Sequence, residues 1–317
     1  VEAVRYEEFP DLPQEILAKR LFETERMERD EWLSSRRKGI GGSDVGAICG
    51  VNPYKSAMSV YLDKIGEAIP FDGNIATEIG NELEPYLRRK FTEWMKENEG
   101  IDIEVQEEKC IFQHPEQGFM FANLDGVFYH PEYGLCVLEL KTANEFAKGS
   151  WEEDEVPDSY YLQVQHYLAV TGLQMAYIGY LIGNRKFDVK QIPRNDNVIA
   201  NLIEIERNFW NENVRVKIPP MPDGSEDSAV ALKTLYPESD GTIIELHHMQ
   251  EERNRYKELG KQKKEIEQEM EAIKQRFMAE MKDAEIAFVG EKKVTWKVVT
   301  KKGYFVQPSA NRQLRIY

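Results

Sequence analysis

The spacing of apolar and polar positions divides the chain into a helical stretch, a block of strands, a short mixed region and a second helical stretch. Residues 13–37 carry Leu17, Leu21, Trp32 and Leu33 on a helical spacing and predict an amphipathic helix. Gly39-Ile40-Gly41-Gly42 ends it, and Ser43 then stands where it can cap a short helix running to Ile48, with Asp44 in the first turn. Asn52-Pro53 reads as a turn, Ser56 as the cap of a helix ending near Gly66, and residues 75–96 as a longer helix. Strand-like runs follow at 101–112, 119–129 and 135–142, the last entered through a turn at Gly134. A helix is predicted over 158–170, then a hairpin of 175–182 and 187–192 around Gly183-Asn184, then a helix over 197–212. This order predicts an α/β core: a mixed central sheet of about five strands flanked by helices.

Pro219-Pro220-Met221-Pro222-Asp223-Gly224 breaks the pattern. It divides the chain into an expected catalytic domain over 1–218, a linker over 219–224 and a C-terminal extension over 225–317. In the extension, Ser225 opens a short helix that ends before Pro237, and residues 243–284 form a long, highly charged helical stretch. Met249, Tyr256, Met270 and Phe277 share one heptad phase, and Leu259, Ile266 and Ile273 share another. Lys263 interrupts that seam, so a helical arm or coiled coil and a helix lying on its own domain are both open readings. Residues 294–300 alternate like a strand, and Lys301-Lys302-Gly303 turns into a short last strand, which makes a β-hairpin. No internal repeat is present.

Composition narrows the class. Of 317 residues, 41% are aliphatic, aromatic or cysteine, enough for a sizeable core. No apolar run is long enough to cross a bilayer, and residues 1–10 lack the basic-then-apolar order of a signal peptide, so an intracellular protein is expected. Cys49, Cys110 and Cys136 are too dispersed for a disulfide framework, a zinc site or an iron–sulfur cluster, and are expected to be buried thiols. The net charge of −15 argues against coating nucleic acid by bulk attraction, but leaves room for a local basic channel. Arg36-Arg37-Lys38 and Arg88-Arg89-Lys90 are the basic clusters, either of which alone reads more simply as solvated helix surface.

The candidate chemistry lies in Asn123-Leu124-Asp125-Gly126 followed by Leu138-Glu139-Leu140-Lys141. A period of two puts Glu139 and Lys141 on one face of a strand, and antiparallel pairing can bring Asp125 beside them. Two carboxylates and the Leu140 carbonyl are hard oxygen donors suited to Mg²⁺ or Mn²⁺, while the lysine can act on an attacking water or on the charge building at a phosphate. Charged residues inside the apolar run Cys136–Lys141 are costly unless they are paired or hold a metal; an edge strand with one wet face is the plainer alternative. In Arg37-Lys38-Gly39-Ile40-Gly41-Gly42-Ser43-Asp44 a basic residue precedes glycines and a helix start, a combination suited to phosphate but common elsewhere. Glu84, in Gly80-Asn81-Glu82-Leu83-Glu84, and Gln163, in Gln163-Val164-Gln165-His166-Tyr167, are each indistinguishable alone from ordinary surface residues.

In this order and spacing the motifs over about residues 36–170 resemble the YqaJ-like viral recombinase family, the phage-type nucleases grouped with lambda exonuclease in the PD-(D/E)XK superfamily. The resemblance implies a restriction-endonuclease-like core and a Mg²⁺-dependent deoxyribonuclease (Mn²⁺ as the alternative ion) in a bacterial cytoplasm, encoded by a phage or prophage. Asp125, Glu139 and the Leu140 carbonyl would hold metal, Lys141 would act on the water, Glu84 would hold or orient a second metal or its waters, and Gln163 would support the site. Arg37 and Ser43, with Tyr160, would bind the 5′-phosphate of a DNA end, with Arg36 one residue away as the alternative arginine. The implied activity is 5′→3′ digestion of linear duplex DNA, exposing a 3′ overhang for a RecT-like single-strand annealing protein, by a homo-oligomer such as a trimer. An endonuclease on the same core and a non-catalytic DNA-binding recombination factor are the competing readings; the full set of Asp125, Glu139 and Lys141 argues against the second.

Overall fold

In chain order the elements are β1 (Lys19–Glu23), α1 (Arg29–Arg36), β2 (Ile40–Gly41), α2 (Gly42–Ile48), α3 (Ala57–Ile65), α4 (Ile75–Asn98), β3 (Val105–Gln106), β4 (Cys110–Gln113), β5 (Met120–Ala122), β6 (Gly126–His130), β7 (Gly134–Ala143), α5 (Asp158–Thr171), β8 (Met175–Ile182), β9 (Lys186–Pro193), α6 (Asp196–Asn208), α7 (Glu226–Leu235), α8 (Gln250–Met281), β10 (Ile286–Val289) and β11 (Lys292–Thr295). They come from a computed structural model that describes residues 15–68, 73–143, 151, 155–183, 185–300 and 313–316. The chain forms two compact units, Val1–Leu235 and Tyr236–Tyr317.

The first unit is built on a mixed five-stranded sheet in the order β3-β6-β7-β8-β9, flanked by helices as the sequence predicts. Its parallel pair, β7 and β8, is joined through α5; the other neighbours are antiparallel. Strand alternation sorts β7 onto two faces. Cys136, Leu138 and Leu140 pack with Leu87, Phe91 and Met95 of α4, whereas Leu135 and Val137 pack with Val164 and Leu168 of α5. Phe91 is fully buried and meets Phe128 and Tyr177 edge-on, so truncating it to alanine would cost about 3–5 kcal/mol. A smaller sheet, β1-β4-β5-β2, stands beside the first. The expected strands at 101–112 and 119–129 are each divided, and their halves fall in different sheets.

The helix expected over 13–37 is replaced, from residue 15 onward, by β1 and α1. β1 pairs antiparallel with β4, from Lys19 opposite Gln113 to Glu23 opposite Cys110. Leu17 and Leu21 remain 63% and 37% exposed, so their helical spacing has no core to bury against and the ladder decides the conformation. The expected cap of α2 also moves. Gly41 is the N-cap, and its N–H donates to Asp44 Oδ2 at 3.1 Å, so Ser43 lies inside the first turn. Ser56 does cap α3, accepting from the Ser59 N–H at 3.2 Å, and Gly66 closes that helix at φ 81°. α2 lies so close to α5 that a Cβ at Gly42 would strike the Tyr167 ring, which explains a glycine there. α7 packs against α3, and Asp227 accepts from the Ser56 N–H and hydroxyl at 2.7 Å each.

Asp44 anchors this corner. Its carboxylate is buried and receives Lys64 at 2.7 Å and Lys55 at 2.9 Å, while Lys64 also reaches the Arg36 carbonyl at 3.3 Å. Burial pushes the Asp44 pKa up, but Lys55, Lys64 and Arg36 outweigh it and hold the carboxyl well below the ordinary range. In the second unit, α8 carries Tyr256, Leu259, Ile266, Met270, Ile273 and Phe277 as an exposed stripe, and β10 pairs antiparallel with β11. The extension contains the expected long helix, but its hairpin is a different one: β11 ends at Thr295 and pairs with β10 before it, residues 296–300 are not strand, and the turn expected at 301–303 lies outside the described residues. Cys49, Cys110 and Cys136 are free thiols, the last two buried. Among the described residues no helix is long and apolar enough to cross a membrane.

The depressed Asp44 pKa contributes stability that is present above its unfolded value of about 3.9 and lost as pH falls toward the folded value. Asp44→Asn should therefore cost about 3–5 kcal/mol at neutral pH, because it strands the buried Lys64 ammonium, and should flatten the loss of stability below about pH 4. Urea denaturation across pH measures both; an acid limb as steep as that of the wild type would contradict the assignment.

Candidate active site

Leu135 and Val137 face α5 in the core, and continuing their alternation along β7 places Glu139 and Lys141 on the same face. On the paired strand, Gly126 lies opposite Leu138, so one further step of the ladder sets Asp125 across from Glu139. Asp125 Oδ2 accepts from the Leu140 N–H at 2.8 Å. Because N–H and C=O of one residue leave a strand on the same edge, the Leu140 carbonyl also faces the Asp125 side, beyond the last pair of the β6 ladder.

The three residues line a cleft of about 340 Å³ together with Trp32, Arg36, Ser43, Asn81, Glu84, Asn123, Gln163 and Tyr167. Lys141 pairs with Glu139, and its ammonium lies 4.9 Å from the centre of the Tyr160 ring. Gln163 Nε2 donates to Glu139 Oε1 at 2.6 Å and reaches the Tyr167 hydroxyl at 3.0 Å. Glu84 enters from α4 and pairs with Arg88, whose Nε donates to the Asp125 carbonyl at 2.9 Å. Arg36 donates to Ser43 Oγ at 2.8 Å, and its guanidinium lies 4.7 Å from the centre of the Trp32 ring. Arg37 does not reach the cleft lining; its Nε faces Asp63 at 3.4 Å. Tyr160 sits over Lys141 and is not in the lining beside Ser43. The structure thus brings Asp125, Glu139, Lys141, Glu84, Gln163, Leu140 and Ser43 into one cleft, and seats Arg36 there rather than Arg37.

The electrostatics are unbalanced toward negative charge. Burial, and then Asp125, push the Glu139 pKa up to about 8, against the pull of Lys141. Burial raises Asp125, and burial followed by the Asp125 charge raises Glu84. Among the described residues no group donates a hydrogen bond to the buried Glu139 Oε2. An unsatisfied carboxylate oxygen among three carboxyls of raised pKa fits a hard divalent cation, with Asp125, Glu139 and the Leu140 carbonyl as the candidate holders and Glu84 nearby. Among the described residues no three Asp, Glu, His or Cys side chains converge tightly enough to hold an ion by themselves. A carbonyl and waters would have to complete the set, as is usual for Mg²⁺.

Arg88, Tyr167, Trp32 and Asn123 also belong to this region and were given no site role from sequence. Two carried a signal. Arg88 is four residues after Glu84 and Tyr167 four after Gln163, each pair one turn apart on a helix face. Asn123 and Trp32 carried none. Of the two glutamines in the motif, Gln163 lines the cleft, whereas Gln165 is buried and binds the Pro193 carbonyl and the Asn195 N–H at 2.8 and 2.9 Å. His166 is buried between Glu206 and the Phe121 carbonyl, both at 2.8 Å, and ties α5 to α6 and β5.

Comparison with known proteins places this site in a family. Residues 31–174, which contain the cleft residues from Trp32 to Tyr167, match the YqaJ-like viral recombinase domain. Over 290 residues the chain is 36% identical to the Bacillus subtilis (strain 168) protein YqaJ, itself uncharacterized, covering 90% of this chain and 87% of that one. The chain belongs to the YqaJ family. The match to YqaJ extends well past the recombinase domain, so the relationship is not confined to the cleft. Similar solved structures include the alkaline exonuclease LHK-Exo of Laribacter hongkongensis, at 20% identity and TM-score 0.48, and LHK-Exo in complex with dAMP, at 20% and 0.49; each alignment covers 60% of this chain and 94% of the other.

If Glu139 Oε2 is a cation ligand, divalent metal should stabilise the folded state. Mg²⁺ at about 100 times its dissociation constant should add about 2.7 kcal/mol, read as a rise in Tm. Glu139→Gln should lose most of that rise, and equal rises in both proteins would contradict the assignment.

Proposed function

We propose that the protein is a metal-dependent DNA exonuclease that digests linear duplex DNA 5′→3′ and leaves a 3′ single-stranded overhang for strand-annealing recombination. The observation that carries the reading is the meeting of Asp125, Glu139, Lys141 and Gln163 at one end of β7, with the unsatisfied Glu139 oxygen among them. Membership in a family named for viral recombinases supports it.

A bound Mg²⁺ or Mn²⁺ would supply positive charge to the scissile phosphate and to the attacking water. The chain's own groups do the rest. Asp125, Glu139 and the Leu140 carbonyl would hold the ion, with Glu84 near enough to assist. Lys141 neutralises charge on the phosphate or donates to and orients the attacking water, and the Tyr160 ring fixes its ammonium in place. Gln163 donates to Glu139 and keeps its carboxylate directed at the site. Arg36 and Ser43, beside the start of α2, bind the terminal 5′-phosphate; Arg36 takes the role the sequence assigned to Arg37 because it faces the cleft. DNA ends are thus the substrate, and a RecT-like annealing protein and an oligomer of this chain are the expected associates.

Nucleotide release from linear duplex labelled separately at each end, with and without Mg²⁺, tests the reading. Metal-dependent mononucleotide release from the 5′ end is expected, with Lys141→Ala losing cleavage by at least about 10²-fold while retaining DNA binding. Internal fragments, or cutting of closed circular duplex, would replace it with an endonuclease. Arg36→Ala should reduce the preference for 5′-phosphorylated over 5′-hydroxyl ends, whereas Arg37→Ala should leave it unchanged; the reverse pattern would return the phosphate site to Arg37.

A further inference from the structure

The charge of the chain is strongly segregated. Residues 286–317 contain seven lysines and arginines against the single acid Glu291, a net +6 in a chain of −15. The described part of this segment opens with the β10–β11 ribbon, where Ile286 pairs with Thr295 and Phe288 with Lys293. Strand alternation then puts Ile286, Phe288, Lys293 and Thr295 on one face, and Lys297 follows at the next step of two. The opposite face carries Ala287 and Val294, the two half-buried residues of the ribbon, so the face bearing Phe288 is the open one. Phe288 is 69% exposed, and Lys292, Lys293 and Lys297 are exposed. Trp296 is 45% exposed and extends the pairing by donating its N–H to the Glu285 carbonyl at 2.9 Å.

We propose that the β10–β11 ribbon is a binding site for single-stranded DNA, in which Phe288 stacks on a base, Lys293 and Lys297 on the same face hold the flanking phosphates, and Lys292 on the other face adds to the local positive charge. An exposed aromatic ring on a strand costs solvation that a base can relieve, and every base offers a π face, so such a site needs no sequence preference. Lys297 lies two residues past the end of β11, and if the extended course continues it stands about 13 Å from Lys293, a span that covers consecutive phosphates of a stretched single strand. The charge decides the partner class: lysines beside an exposed ring suit a polyanion with flat faces, whereas a purely apolar partner would leave their ammonium groups desolvated and unpaired. The proposal rests on the nuclease reading only for the source of the strand, the 3′ overhang that digestion leaves. The ribbon would retain that overhang near the enzyme.

The test uses the full chain in EDTA, where cleavage is off, and reads anisotropy of a labelled single strand of mixed sequence and of a duplex of equal length. Phe288→Ala should weaken single-strand binding by about fivefold or more and duplex binding much less. Lys292→Glu/Lys293→Glu/Lys297→Glu should weaken it further and lower the slope of log K against log salt by about two. Lys257→Glu/Lys261→Glu/Lys264→Glu, the same charge change on α8, should have a much smaller effect. Unchanged single-strand affinity in the ribbon variants, a loss matched by the α8 variant, or equal losses on duplex for Phe288→Ala would overturn the proposal; the first would leave an apolar protein partner as the occupant. Metal-dependent cleavage of a short duplex should survive in the ribbon variants. Its absence in the wild type would sink the nuclease reading while leaving the ribbon result standing.

Discussion

The cleft is organised around one costly feature, a glutamate in a strand position that packing would give to an apolar side chain. Glu139 follows Leu135 and Val137 on the face of β7 that lies against α5, and it is as buried as they are. An ionised carboxylate in that environment needs compensation. Lys141 and Gln163 both address the same oxygen, Oε1, and among the described residues none donates to the other. Burial comes first in raising the pKa of Glu139, Asp125 and Glu84, and the Asp125 charge adds to it at Glu139 and Glu84. Such an arrangement persists in a folded protein when the missing interaction is supplied by something else, and a hard divalent cation has the charge and ligand preference to do it.

Much of the remaining fold serves to hold that feature. The break between β5 and β6 releases the chain at Asn123 and Leu124 so that Asp125 can meet the Leu140 N–H. α5 brings Gln163 and Tyr167 over the carboxylate, and α2 is held against α5 by the lack of a side chain at Gly42. Arg88 ties Glu84 to the Asp125 main chain, coupling α4 to the end of β6. The buried Asp44–Lys64 pair then fixes the turn from which Arg36 and Ser43 face the same cleft.

The core was legible where local pattern and tertiary fate agree. β7 and β8 are continuous apolar runs of strand length, α4 and α5 are long helical runs with clear boundaries, and Glu139 and Lys141 stood out because period-two spacing put charge into an apolar run. The N-terminal stretch was misread because Leu17 and Leu21 have helical spacing while the unpaired edge of β4 recruits that segment as a strand, a long-range effect with no local trace. The division of residues 101–112 and 119–129 between two sheets was hidden for the same reason. Arg36 and Arg37 are adjacent, and only the end of α1 determines which of them turns toward Ser43 and which toward Asp63. Asn123 and Trp32 have no pattern of their own, since their place in the cleft depends on how sheets and helices meet.

The most direct test of the central claim is a crystal of the protein soaked in Mn²⁺ and read by anomalous scattering. The account predicts a peak within coordination distance, about 2.0–2.2 Å, of Asp125, Glu139 Oε2 and the Leu140 carbonyl. A cleft that stays empty at saturating Mn²⁺, with the Glu139 carboxylate unchanged, would contradict it, as would a peak held by other residues.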